Sequence, residues 1–225
     1  MLPGLLNTRR VFEHQIAALS DIAECIVPEL WHHDTMGDMA EAVLAAVPSA
    51  FALAGFSMGG YVSFEILRRA LERVERLALI DTQATPDSPE SIARRHGLVE
   101  QTHIGRFHGV QPSMLPHIVH HSHLDRPAVS QPILDMAREI GAEGFLREQH
   151  AIMARPDSRP LLVDIEVPTV VIVGRQDQST PLARAAEMAA DIASSRLVVL
   201  EECGHMSPLE RPDEVAAELR RWLTE

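Results

Sequence analysis

The 225-residue sequence predicts an α/β fold: a doubly wound, mostly parallel sheet, shortened at its N-terminus and carrying an inserted helical cap. Three observations predict it. Short apolar runs alternate with stretches of helical periodicity, and several of those runs are apolar throughout, as strands covered on both faces are. One long segment, from about 86 to 160, breaks the alternation without offering a strand.

The runs that read as strands are 25–27, 51–54, 77–80, 169–173 and 197–200. Asn7 or Thr8 offers an N-cap for a first helix that aligns Val11, Ile16 and Leu19 on one side, and Asp34 offers the start of a second. Residues 58–71 carry Val62, Ile66 and Ala70 at helical spacing, 181–192 follow Thr180 as a cap with Pro at the first helical position, and 212–223 close the chain. The 86–160 stretch shows short helical patterns punctuated by Pro and Gly and reads as a cap over the strand ends. With no internal repeat or low-complexity linker, residues 1–225 form one predicted domain.

Charge narrows the partners. Twenty Lys and Arg against 32 Asp and Glu give a net −12, which repels phosphate backbones and anionic membrane surfaces, so neither nucleic acid nor membrane is expected. No apolar run approaches the roughly 20 residues that cross a bilayer, and residues 1–10 lack the layout of a signal peptide, so a cytoplasmic location is expected. Cys25 and Cys203 lie far apart and make neither a CxxC nor a Cys/His zinc spacing, so they read as buried free thiols.

The chemistry concentrates after the strands. Gly55-Phe56-Ser57-Met58-Gly59, extended by Gly60, follows the run ending at Ala54 and precedes the helix carrying Val62 and Ile66. A sharp strand-to-helix turn forces its central residue into a strained conformation and pushes Ser57 outward. The Met58 N–H, at the positive end of the following helix, is offered to a developing oxyanion. Serine is a weak nucleophile until a base takes its proton, and that base needs an acid to hold its tautomer. Asp177, beyond Val171-Ile172-Val173-Gly174-Arg175-Gln176, is the acid candidate, and His205, in the loop after 197–200, is the base candidate. Alone, Asp177 reads equally as a turn residue and His205 as a structural loop histidine, but the order Ser, Asp, His fits a sheet of this kind.

On GFSMGG, VGRQD and GHMSPLERP the sequence resembles the α/β-hydrolase superfamily, from Leu2-Pro3-Gly4 through Leu209-Glu210-Arg211-Pro212. It is most similar to small bacterial carboxylesterase-like members, among them pimeloyl-carrier-protein methyl esterase and enol-lactone hydrolase relatives. The resemblance implies an α/β-hydrolase fold and a serine hydrolase acting on a small-molecule carboxylic ester or thioester through an acyl-enzyme. In that reading Ser57 is the nucleophile, His205 the general base and then acid, and Asp177 its orienting partner, with no cofactor and no metal. The resemblance places a second oxyanion donor at Leu5, although Pro3 stands where a histidine is common, and Pro has no N–H of its own. The strand expected to lead into that loop is reduced to Met1 and Leu2. This predicts an exposed edge, covered for instance in a homodimer, or an internal gap beside the loop. Asp81, also at a strand end, is the alternative acid.

Seven histidines fall between His96 and His123. His117 and His121 are four apart and could share a helix face, but Asp125 is the only close carboxylate, so a polar face that titrates near neutral pH is the plainer reading. Leu98, Val99, Ile104, Phe107, Met114, Leu115, Ile118 and Val119 suit either an acyl pocket or cap core, and Arg94, Arg95 and Arg106 suit an anionic substrate tail or ordinary surface. Two other functions fit the same fold: C–C bond hydrolysis or lyase chemistry, and a binding or scaffold protein that has lost efficient catalysis.

Overall fold

The computed structural model describes residues 1–107, 110 and 112–225. Four strands, β1 (Phe51–Phe56), β2 (Val74–Ile80), β3 (Thr169–Gly174) and β4 (Ser195–Leu200), form one parallel sheet in the order β1-β2-β3-β4. Each contains one of the predicted apolar runs. Period-two alternation sends β2 and β3 side chains to two cores. Leu77, Leu79, Val171 and Val173 pack under helices α2 (Met36–Ala46), α3 (Met58–Ala70) and α6 (Leu182–Asp191). Ala78, Ile80, Val170 and Ile172 pack on the opposite face, with Phe12, α1 (Glu13–Leu19) and α8 (Pro212–Thr224). Helices on both faces are what a doubly wound parallel sheet requires, and they explain why its strands are apolar throughout.

The N-terminal edge differs from the rest. Leu2 contributes a single parallel bridge to Gly55: its N–H donates to Ala54 O (2.8 Å) and its carbonyl accepts from Phe56 N–H (3.0 Å). The run 25–27, predicted as a strand, makes no ladder, because the neighbour available to it is the two-residue stretch Met1-Leu2. Their link is the Met1 amino group donating to Ile26 O at 2.7 Å. Between them lies an apolar cavity of about 390 Å³, lined among others by Leu2, Leu19, Val43, Phe51, Leu53 and Trp222. Its lining includes Met1 and Leu2 but none of residues 3–6, so the cavity lies beside the short strand and not beside the loop, where the sequence places a gap.

Two helix starts also differ. Thr35, rather than Asp34, caps α2 by accepting from Asp38 N–H, since its extended backbone aims the hydroxyl at the first turn. Thr180 does not cap α6; Pro181 is the N-cap residue, and the Thr180 hydroxyl is engaged elsewhere. Between β2 and β3 the chain runs through α4 (Pro89–His103), short 3-10 turns and the long α5 (Pro127–Met153), which bends at Gly141. Near that bend Ala137, Ile140 and Phe145 pack against Leu6, fastening α5 onto the N-terminal loop. Among the described residues no helix is long and apolar enough to cross a membrane.

Candidate active site

β1 ends at Phe56 and α3 begins at Met58, leaving Ser57 as the whole turn, with φ 51° and ψ −116°. A non-glycine residue held there costs about 1–3 kcal/mol, so its surroundings must fix it. They do so from the end of β2 and the turn just past it: Ser57 N–H donates to Ile80 O (2.9 Å), and the Thr82 hydroxyl donates to Ser57 O (2.8 Å). Gly59 lets the Leu2 carbonyl pass, since a Cβ there would stand 2.1 Å from that oxygen. The motif thus seats the short N-terminal strand as well as the serine.

Ser57 Oγ lies 2.9 Å from His205 Nε2, and His205 Nδ1 lies 2.8 Å from Asp177 Oδ2. The carboxylate assigns the ring proton to Nδ1 and leaves Nε2 free to accept from the serine. Asp177 is buried and fully engaged. Its Oδ1 accepts from Ser179 and Thr180 N–H (2.7 and 3.0 Å), and its Oδ2 accepts from the Thr180 hydroxyl (2.7 Å). Burial pushes the Asp177 carboxyl up, but the charge and hydrogen bond of His205 and the Thr180 donors outweigh it and hold the carboxyl below its ordinary value. Burial likewise pulls the His205 imidazole down, and the Asp177 charge and hydrogen bond more than reverse this, leaving it raised.

Asp81 does not touch His205. It turns through φ 42° and accepts from Gly174 N–H (2.9 Å) and Ser207 N–H (3.2 Å), bracing the strand that leads to Asp177 against the residues that follow His205. Burial, then the Asp177 charge, pushes its carboxyl up to about 8 against those two N–H bonds. Of the two acids weighed from sequence, the structure brings Asp177 to the histidine.

Sequence reasoning missed Glu210. Fully engaged and 2% exposed, it accepts from Gly204, Met206 and His120 N–H and faces His123 Nδ1 at 3.1 Å. Together with the His205 N–H donating to Ile118 O (2.9 Å), it ties the segment 118–123 to the histidine loop. The available signal was an acid five residues after His205, placed by Pro208 in a one-turn helix, α7 (Ser207–Glu210), that folds back on the loop.

Gly4 lies against the serine, since a Cβ on it would stand 3.0 Å from Ser57 Cβ, and Leu5 and Leu6 follow it in the chain. Neither the Leu5 N–H nor the Met58 N–H has an acceptor among the described residues, Met58 being the first residue of α3, where helix N–H groups have no intrahelical partner. Leu6 turns through φ 57° and donates to Glu148 Oε2 on α5 at 3.0 Å, and Thr8 N–H points at Met136 Sδ, 3.3 Å away. The residues named for an acyl pocket divide: Val99, Leu115 and Val119 are buried, whereas Leu98, Ile104 and Met114 are exposed, so the eight form no single lining. Arg95 is committed to Asp87 (2.5 Å) and Gln149 (2.9 Å). His117, His120 and His121 line a cleft of about 300 Å³ with Gln176, Gln178 and Gly204. His108 lies outside the described residues, among which no three His, Cys, Asp or Glu side chains group as metal ligands.

Residues 1–218 match the alpha/beta hydrolase family, and the chain belongs to it. It is 27% identical over 186 residues to the pimeloyl-[acyl-carrier protein] methyl ester esterase of Neisseria meningitidis serogroup C, covering 79% of this chain and 71% of that protein. Among solved structures it superposes on a thermophilic esterase from Thermogutta terrifontis with a TM-score of 0.88 and 30% identity, covering 99% of this chain and 87% of that one. The enol-lactonase from Burkholderia xenovorans LB400 gives a TM-score of 0.85 and 28% identity, covering 100% and 90%. These relatives support an enzyme of the hydrolase class.

Proposed function

We propose that this hydrolase cleaves a small carboxylic ester or thioester through an acyl-enzyme on Ser57. The observation that carries the reading is the unbroken line from Ser57 Oγ through His205 to Asp177. Ser57 Oγ attacks the acyl carbon while His205 Nε2 takes its proton, and Asp177 stabilises the resulting imidazolium. The carbonyl electrons move onto oxygen, where the unpaired Leu5 and Met58 N–H groups receive the charge. The oxyanion collapses, the bond to the leaving alkoxide or thiolate breaks, and His205 returns the proton to that group. A water, deprotonated by His205, repeats the sequence on the acyl-enzyme and releases the acid. The inserted 86–160 segment acts as a cap within a single domain, anchored to the histidine loop by Glu210 and Ile118.

The relatives include an esterase, a methyl ester esterase and an enol-lactonase, and also a 2-hydroxy-6-oxononadienedioate/2-hydroxy-6-oxononatrienedioate hydrolase of Escherichia coli at 28% identity over 170 residues, so the Ser57, His205 and Asp177 geometry, not the names, carries the ester reading. A fluorophosphonate probe tests it, because such probes react with serines activated in this way. Stoichiometric labelling of the wild type and none of Ser57→Ala is expected. A folded wild type that stays unlabelled and hydrolyses no p-nitrophenyl ester or matched thioester would overturn the reading.

A further inference from the structure

Glu148 is the buried acid that this mechanism does not use. It sits on α5 with no exposed surface, gives Oε2 to the Leu6 N–H, and has no partner for Oε1 among the described residues. A buried carboxyl with one idle oxygen is expensive, and an apolar side chain in its place would pack without that cost. What it gains is control of one peptide plane. The Leu6 N–H belongs to the peptide unit that begins at the Leu5 carbonyl, so anchoring it fixes the rotation next to the Leu5 N–H. That control is needed here because Leu6 holds φ 57° and only the Leu2 bridge leads into the loop from the sheet.

We propose that Glu148 is the positioning residue of the Gly4, Leu5 and Leu6 loop, through which the cap helix α5 keeps the Leu5 N–H aimed at the oxygen of the reacting acyl group. Three further contacts agree: Leu6 packs on Ile140 and Phe145, Leu5 packs against the same cluster, and Thr8 N–H points at Met136, so α5 clasps the loop along its length. Burial pushes the Glu148 carboxyl up to about 8, against the Leu6 N–H and the Arg147 charge, so at neutral pH the acceptor is mostly a neutral acid. A glutamine amide oxygen can replace such an acceptor, and a leucine cannot.

The inference rests on the acyl-transfer reading, and its test separates the two. Wild type, Glu148→Gln and Glu148→Leu are compared in p-nitrophenyl butyrate turnover and in exchange of the Leu6 amide hydrogen. Glu148→Leu is expected to lower kcat about tenfold to hundredfold with KM within about twofold, as misplacing one oxyanion donor does. Glu148→Gln is expected to keep kcat within about threefold, and the Leu6 amide to be protected in wild type and the glutamine variant only. Wild-type turnover with unchanged kcat in a folded leucine variant, or a glutamine variant as impaired as the leucine one, defeats the proposal alone. If the leucine variant does not fold, a Leu6 amide that exchanges freely in wild type defeats it, and protection retained in the glutamine variant at near wild-type kcat supports it. A folded wild type that takes no fluorophosphonate label and turns over no p-nitrophenyl ester or matched thioester defeats the acyl-transfer reading as well.

Discussion

Replacing Asp177 with Asn tests the acid assignment through a geometry that leaves little freedom. Asp177 Oδ1 accepts two backbone N–H groups, from Ser179 and Thr180, and an amide NH₂ cannot take that place. The new carbonyl must therefore sit at Oδ1 and the NH₂ at Oδ2. There one hydrogen meets the Thr180 hydroxyl, which rotates to accept it, and the other points at His205 Nδ1. His205 then keeps its proton on Nε2, where it cannot take the Ser57 proton. A wrong tautomer in an otherwise intact site costs about 10,000-fold in kcat, or about 5.4 kcal/mol at 1.36 kcal/mol per tenfold. Asp81→Asn, which changes a brace for Gly174 and Ser207, is expected to lose about tenfold to a hundredfold, the range for a displaced rather than a missing group. Steady-state hydrolysis of a short p-nitrophenyl ester, with circular dichroism to confirm folding, reads both. Equal losses in the two variants, or less than tenfold in Asp177→Asn, would refute the assignment.

Because His205 must be neutral to act as base and its imidazole is held above the ordinary 6.5, kcat/KM should rise with pH through a midpoint above 6.5. The same raised value stabilises the fold fully below pH 6.5, and that contribution is lost as pH rises through the folded value. A wild-type profile with its acid limb at or below 6.5 would contradict the pairing. Glu210→Ala strands the Gly204, Met206 and His120 N–H groups and the His123 ring; at about 3 kcal/mol or more, thermal melting should fall by at least about 6 °C, and a smaller shift would remove Glu210 from its bracing role.

Much of the fold was legible in the sequence because a parallel sheet covered on both faces leaves unbroken apolar runs, and β1 to β4 each contain one. The run 25–27 had the same composition and failed, since a strand needs a partner and Met1-Leu2 offers one residue of pairing. Ser57, Asp177 and His205 were legible as residues because each follows a strand at a turn. Their surroundings were not. Glu148 acts on a backbone N–H 142 residues away, and nothing in local spacing marks it; Glu210 stands five residues after His205, but its bond to the His120 N–H, 90 residues away, is equally invisible in the sequence. Thr180 was misread for a related reason: a threonine before a proline-led helix looks like a cap, and its hydroxyl is drawn instead to the carboxylate three residues earlier.

Rapid-quench mass spectrometry after mixing with a p-nitrophenyl ester tests acyl transfer to Ser57 most directly. A mass gain equal to the acyl group, mapped to the peptide carrying Ser57 and formed within the p-nitrophenol burst, is the expected result, with no gain in Ser57→Ala. Wild-type turnover with no covalent acyl adduct at any time would contradict it.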